Sequence, residues 1–305
     1  MTREIKNMAA SVRARLDNLA KSEGRPFDEV LQYYAMERFL HRLSLSEFAD
    51  GFVLKGAMMI RAWGGSTTRS TRDIDLLGQK SSTVEELVEV VRSCIKLAVD
   101  DDGLRFDPDS IAGEEVRLTA HYDGIRVHCF AYLDRAKVKI QVDVGFGDVI
   151  TPGAAILEYP AILDFAKPQL QCYTPETVIA EKLEAMVTLD VANTRLKDFF
   201  DVWSLSQSRP FSGPILSHAI RATFERRRTD LPENTPIALT STFYARADKK
   251  AQWKAFLKKT KVRGTVPPLN DVAAAIAAFV NPVLSALATG DTFRGEWPAG
   301  GPWAP

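Results

Sequence analysis

Arg69-Ser-Thr-Arg-Asp-Ile-Asp75 is the stretch whose reading decides the fold. Asp73 and Asp75 stand two apart, so on an extended strand both carboxylates lie on one face while Ile74 points to a core. Hard oxygen donors on a rigid strand suit Mg²⁺ or Mn²⁺, and Mg²⁺ leaves its remaining positions to water and phosphate oxygens. An isolated Asp-x-Asp is more often a solvated surface feature; a third carboxylate changes that. Two strand-like runs, Val116 to Tyr122 and Ile125 to Leu133, precede Val138-Lys-Ile-Gln-Val-Asp-Val144, an alternating segment of high β-propensity. Asp143 interrupts its apolar face just before Gly145-Phe-Gly-Asp148. A buried carboxylate is costly unless paired or metal-bound, so Asp143 with Asp73 and Asp75 makes a three-carboxylate, two-metal site of the kind that handles phosphate.

Upstream of this run, the spacing predicts helices over Ile5 to Lys21 and Phe27 to Leu43, broken at Gly24-Arg-Pro26. A short strand, Phe52 to Lys55, leads into Gly56 and a helix over Ala57 to Ala62. In Lys55-Gly56-Ala57 the glycine lets backbone approach a phosphate, and the helix start offers unpaired N–H groups. Gly64-Gly-Ser66 with Thr67 and Thr68 reads as a loop. Ser82 and Glu85 resemble a capping box for a helix ending near Val99, and Asp100 to Glu115 reads as an acidic, turn-rich connection. Pro152, Pro160, Pro168 and Pro175 punctuate a crossing between lobes. Beyond it the pattern is helical: Glu176 to Leu189, Thr194 to Gln207, Pro214 to Arg228, Ala247 to Lys259 and Val272 to Leu287, followed by a Gly-, Pro- and Trp-containing tail.

At 305 residues the chain has room for one or two domains, and its composition is that of an ordinary globular protein. The expectation is a cytoplasmic protein: the N-terminus has no apolar signal segment, and the Ala-rich run Val272 to Val280 is too short to cross a bilayer. Cys94, Cys129 and Cys172 lack the spacing of a disulfide frame or zinc site. The four histidines form no ligand pair. Lys and Arg balance Asp and Glu at 39 each, but Phe211 to Gly264 is strongly basic, and Arg226, Arg227, Arg228, Lys254 and Lys258 are candidates for contact with an RNA backbone. Lys261 and Arg263 extend the same basic run.

A second charged cluster joins Glu176-Thr-Val-Ile-Ala-Glu-Lys182 to Arg195-Leu-Lys-Asp-Phe-Phe-Asp201. Asp198 and Asp201 share a helix face, and Leu196, Phe199, Phe200 and Trp203 surround the charges with apolar bulk. A buried Lys182 needs an anion, which could be Asp198 or a nucleotide triphosphate.

Phe52-Val-Leu-Lys-Gly-Ala, the RxTxDxD pattern ending at Asp75, the DxGxGD pattern over Asp143 to Asp148, Ala180-Glu-Lys-Leu-Glu-Ala185 and the RxKDFFD pattern ending at Asp201 follow in order. Together they resemble the AbiEii/AbiGii nucleotidyltransferase toxins, including the MenT-type members. The similarity extends to Glu37-Arg-Phe-Leu-His-Arg42, to Arg226-Arg-Arg-Thr-Asp-Leu-Pro232 and to Trp253 to Lys259, and so covers most of the chain. It implies an α/β (α+β) fold: a polymerase-β-like nucleotidyltransferase lobe with N-terminal helices over residues 1–160, and a mainly helical lobe over 161–305, with the active site in the cleft between. It also implies a cognate antitoxin and a role in a toxin–antitoxin or phage-defence pair. Some members transfer a nucleotide from an NTP to the 3′ end of tRNA and so block translation.

On that resemblance Asp73, Asp75 and Asp143 bind metal, and Asp143 helps deprotonate the attacking hydroxyl. Lys182 binds triphosphate, with Arg69 a second candidate and Asp198 and Asp201 positioning Lys182 or touching the nucleotide. The related proteins often carry Gly-Ser where this chain has Gly56-Ala57, so the phosphate grip rests on backbone N–H groups, Lys55, Arg69 or Lys182. Thr71 lies next to this site, and phosphorylation there would repel a triphosphate. Transfer to a protein or small-molecule hydroxyl, and an inactive RNA- or partner-binding protein, are the rival readings.

Overall fold

The computed structural model describes residues 7–63, 69–117, 123–260, 262 and 264–305. The expected loop at 64–68, the strand residues 118–122, the helix start at Ile5 and the basic residues Lys261 and Arg263 lie outside them. The chain forms two compact units. The first comprises residues 1–58, 72–147 and 155–172, and the second 59–71, 148–154 and 173–305. The chain therefore passes between units several times, and a single cut near residue 160 does not separate them.

The first unit opens with two helices, α1 (Met8–Glu23) and α2 (Phe27–Leu45). The Asn7 side chain caps α1 by accepting from the Ala10 N–H, and Gly24 ends it in the left-handed conformation at φ 62°. α2 is buried along most of its length, charged residues included. Arg42 forks onto Asp102 at 2.6 and 3.2 Å, and the Glu37 carboxylate accepts from the Ile162 N–H at 2.6 Å. These paired charges tie distant loops to the helix, at a desolvation cost that hydrogen bonding offsets.

After α2 come β1 (Phe52–Lys55), α3 (Gly56–Ala62), β2 (Ile74–Gly78), α4 (Val84–Lys96), β3 (Leu104–Arg117), β4 (Asp123–Leu133), β5 (Ala136–Phe146), β6 (Ala155–Glu158) and β7 (Gln169–Cys172). The seven strands form one mixed sheet in the order β3-β4-β5-β2-β1-β7-β6. β2 pairs with β5 in parallel and with β1 antiparallel. On β4 and β5 the side chains Val127, Cys129, Ala131, Ile140, Val142 and Val144 are buried, which fixes the alternation of the whole ladder.

Several sequence expectations need correcting. Asp100 to Glu115 is not a connection but mostly β3, an edge strand whose acidic side chains sit among exposed positions. Its pairing with β4 shifts register between Asp107 and Ala112, where Pro108 falls. Proline cannot donate to the ladder, and the Ser110 hydroxyl accepts from the Phe130 N–H there instead. The proline-punctuated segment contains β6 and β7, which pair with each other and add to β1; four-residue strands leave too little alternation to read. The capping box lies one residue later than expected, on Thr83 and Glu86.

The second unit is mainly helical: α5 (Pro175–Leu189), α6 (Leu196–Ser208), α7 (Gly213–Arg227), α8 (Ser241–Tyr244), α9 (Ala247–Thr260) and α10 (Leu269–Thr289). α10 is longer than its apolar run suggested, and it is long and apolar enough to cross a membrane. It packs against α6 and α7 and buries Val272, Ile276, Phe279, Val280 and Val283, as a core helix does. The C-terminal tail packs back onto the helices. It contains β9 (Glu296–Trp297), which pairs with β8 (Phe211–Ser212). Trp297 lies 4.9 Å from the Phe279 ring, centroid to centroid, and donates to the Ser206 carbonyl at 2.8 Å.

Removing that indole leaves a cavity and takes away one of the two hydrogen bonds that the Ser206 carbonyl accepts, the other coming from the Gly300 N–H at 2.9 Å. Trp297→Ala is expected to destabilise the protein by about 3–5 kcal/mol, read as a shift of the urea unfolding midpoint. A change below about 1 kcal/mol would mean the tail contributes little.

Candidate active site

The expected site residues fall into two groups, one in each unit. In the first unit, β1 ends at Lys55, which stands opposite Asp75 in the antiparallel register, and Gly56 follows at φ 73°. A Cβ on Gly56 would collide with the Asp75 carboxylate and come within 2.8 Å of the Asp75 Cβ. The glycine is thus required twice, for its left-handed backbone and for the close approach of the α3 start to the carboxylate. Ala57 is buried at the same turn.

Ile74 is fully buried, and Asp73 and Asp75 flank it half-buried. The parallel register sets Asp75 directly opposite Asp143. One ligand oxygen each from Asp73, Asp75 and Asp143 lies within 4.8 Å of the others. Oxygens around a single Mg²⁺ at about 2.1 Å stand about 3–4 Å apart, so small side-chain adjustments bring the three onto one ion. The donors are all carboxylate oxygens, with no nitrogen or sulfur. That chemistry fits Mg²⁺ or Mn²⁺ and not a zinc site.

Asp143 is 5 % exposed and has a partner that sequence reasoning missed. Arg126 of β4 forks onto both its oxygens at 2.8 Å each, and the Gln141 amide donates to the same carboxylate at 3.2 Å. The hydrogen bonds that Arg126 donates to Asp143 are the largest cause raising the Arg126 pKa. The fork fixes the carboxylate plane, and the Gln141 amide, at 3.2 and 3.3 Å, takes the second acceptor site on each oxygen, so a metal ion would bind Asp143 in place of that longer contact. A signal for Arg126 was present: β4 and β5 are joined by the two-residue turn Asp134-Arg135, and counting back from Leu133 opposite Ala136 puts Arg126 opposite Asp143.

In the second unit, Lys182 of α5 meets both aspartates of α6, with Nζ 2.7 Å from Asp198 and 2.8 Å from Asp201. Arg69 forks onto Asp201 at 2.7 and 2.8 Å, and Arg195 Nε lies 2.8 Å from Asp198. Both carboxylates are fully buried. Burial pushes the Asp201 carboxyl up, but Arg69 and Lys182 outweigh it and hold it well below the usual carboxylate range. Asp198 is lowered against burial by Lys182 and Arg195, and Lys182 is raised against burial by the two aspartates. Arg69, Lys182 and Arg195 thus converge on two buried aspartates. Of the two partners open to Lys182, the structure supplies the aspartates.

The basic residues divide. Arg226, Arg228, Lys254 and Lys258 are exposed on α7, at its end, and on α9. Arg227 turns inward, reaching Asp148 at 3.0 Å and Glu184 at 2.8 Å, with Glu181 at 3.4 Å. Its guanidinium is committed to carboxylates of its own unit and fixes the end of α7 against α5. Asp148, the last residue of the DxGxGD pattern, serves that ion pair. Thr71 is 8 % exposed, so a kinase would reach its hydroxyl only if the segment moved.

A mixed sheet that brings an Asp-x-Asp strand and a third carboxylate together beside a glycine turn defines a class, the nucleotidyltransferases. The family model for the AbiEii nucleotidyl transferase toxin, Type IV TA system, matches residues 38–276. The chain belongs to that family and is a nucleotidyltransferase. Among solved structures it is similar to a candidate nucleotidyltransferase from H. pylori, at TM-score 0.52 and 13 % identity over 87 % of this chain and 98 % of that one. It is also similar to JHP933 from Helicobacter pylori, at TM-score 0.50 and 13 % identity over 86 % and 94 %. At that identity the likeness is one of fold. No curated protein sequence matches the chain significantly.

Gly56→Ala is expected to push the Asp75 carboxylate out of the cluster, with a backbone cost of about 1–2 kcal/mol for a left-handed alanine. Isothermal titration with Mn²⁺ should show at least about ten-fold weaker binding, and unchanged affinity would contradict the close approach. Asp201→Asn leaves buried cations short of a partner and should cost about 3–5 kcal/mol at neutral pH. The depressed Asp198 and Asp201 contribute fully above the ordinary carboxylate pKa of about 3.9, and their contribution is lost as pH falls through the lowered values. The stability gap between wild type and Asp201→Asn should therefore be flat near neutrality and close below about pH 4. A gap that persists into strong acid would assign the loss to packing.

Proposed function

We propose that this enzyme transfers a nucleotide from an NTP to an RNA 3′ end, with the tRNA acceptor end as the target and a block of translation as the consequence. Membership of a toxin family with antitoxin partners supports a cytoplasmic toxin–antitoxin or phage-defence role. The observation that carries the reading is the convergence of Asp73, Asp75 and Asp143 in strand register.

Those three carboxylates would hold Mg²⁺ or Mn²⁺, which when bound supplies charge neutralisation at the phosphate and a more acidic attacking hydroxyl. Asp143, its plane set by Arg126, accepts the proton of that hydroxyl. The Gly56 turn lets backbone N–H groups approach phosphate oxygens without a side chain in the way, and Lys55 adds a positive charge at the strand end. Lys182 and Arg69 are assigned to the triphosphate, their positive charge opposing the charge that grows on the pyrophosphate leaving group. Asp198 and Asp201 hold both cations in place. Arg226, Arg228, Lys254 and Lys258 are exposed and suited to the RNA backbone, whereas Arg227 is structural.

Incubating the purified protein with total tRNA and each labelled NTP in turn tests the reading, and labelled RNA is the expected result. Label on protein, or on nothing, refutes it. Asp73→Ala and Asp75→Ala should each abolish transfer with little change in thermal stability. Activity within a few-fold of wild type, about 1 kcal/mol in barrier, would remove those residues from the metal site.

A further inference from the structure

The β4–β5 ladder has one apolar face turned to the core, and its other face is not simply polar. Register places Arg126, His128, Phe130 and Tyr132 of β4 on that second face, opposite Asp143, Gln141, Lys139 and Lys137 of β5 in the same order. Phe130 and Tyr132 are half-exposed there, although the core on the opposite face is already filled. The Lys137 ammonium sits 3.6 Å from the Phe130 ring centroid, and the Arg105 guanidinium lies 4.6 Å from that of Tyr132. Lys137, Lys139 and Arg105 are exposed. Two aromatic rings with exposed cations thus stand in line with Asp143.

We propose that this face is the track on which the single-stranded end of the acceptor RNA lies, with bases stacked on Phe130 and Tyr132 and phosphates met by Lys137, Lys139 and Arg105. Every base has a π-face, so aromatic platforms flanked by cations bind single strands with little regard to sequence. From Asp143 the strand runs about 13 Å to Lys139 and about 20 Å to Lys137, room for a short run of nucleotides ending at the carboxylates. A stacking base takes the place of the Lys137 ammonium on Phe130, and the freed side chain is long enough to move to a phosphate. Asp107 and Glu114 of β3 lie beside Phe130 and Arg126 in the register. Their charge keeps the phosphates on the β5 side of the track. The inference rests on RNA being the acceptor and adds where that acceptor binds.

The test uses the full chain with a fluorescein-labelled hexaadenylate, read by anisotropy, alongside transfer from labelled NTPs to total RNA. Phe130→Ala combined with Tyr132→Ala should weaken hexamer binding at least about ten-fold and lower transfer to RNA in proportion, while Phe130→Trp with Tyr132→Trp retains both. Lys137→Glu with Lys139→Glu should weaken binding and flatten its salt dependence. Those two positions are exposed, so this variant decides the matter if the alanine variant fails to fold. Hexamer affinity within two-fold of wild type in the charge-reversed variant and in every folded aromatic variant overturns the track and leaves the face to a protein partner. Wild-type protein that labels no RNA overturns the acceptor reading and this inference together. Wild-type and variant proteins that label RNA equally overturn this inference alone.

Discussion

The parallel pairing of β2 with β5 is the constraint on which the chemistry of the first unit depends. It aligns Asp75 with Asp143 across one inter-strand step, about 4.8 Å, and a slip of one residue would turn either carboxylate into the core. What resists the slip is apolar: Ile74, Leu76, Val142 and Val144 are buried between the flanking strands and helices. The polar site is thus positioned by the hydrophobic pattern around it. The antiparallel β1 continues the arrangement on the other edge of β2 and delivers Gly56 against Asp75.

Clustering three carboxylates is electrostatically unfavourable without a cation nearby. The fold supplies part of the compensation through Arg126, whose fork holds Asp143 in a single orientation. The second unit shows the opposite bias, with Arg69, Lys182 and Arg195 gathered on two aspartates. The second is a buried ion-pair system and the Arg126–Asp143 pair a partly buried one, and the net contribution of such pairs to stability is small against their desolvation cost. Their value lies in holding charged groups at fixed places, which is what a phosphate-handling enzyme requires of them.

Much of this was legible in advance because it rests on local pattern. The alternation around Asp143, the strand before Gly56 and the helices of the second unit follow from periodicity, and their ends moved by only a few residues. Where the reading failed, local signal was weak or misleading. β3 carries acidic residues and a proline because it is an edge strand with one wetted face and an interrupted ladder, and those features mimic a loop. β6 and β7 are four residues each and owe their existence to β1. Arg227 looked like one of three equivalent arginines, yet its neighbours on either side are exposed while it turns onto Asp148 and Glu184.

The sequence by itself determined which residues form strands and helices in most of the chain, that Asp73 and Asp75 share a face, that a third carboxylate interrupts an apolar strand, and the family. These follow from the fixed two-residue and 3.6-residue periods of the backbone and from residue chemistry. Only the tertiary structure decided that Asp75 faces Asp143 in register, that Arg126 holds Asp143, that Lys182 is shared between two aspartates, and which arginines reach solvent. Each of those depends on the pairing of segments far apart in the chain, and that pairing is set by the packing of the whole unit, which no local period records.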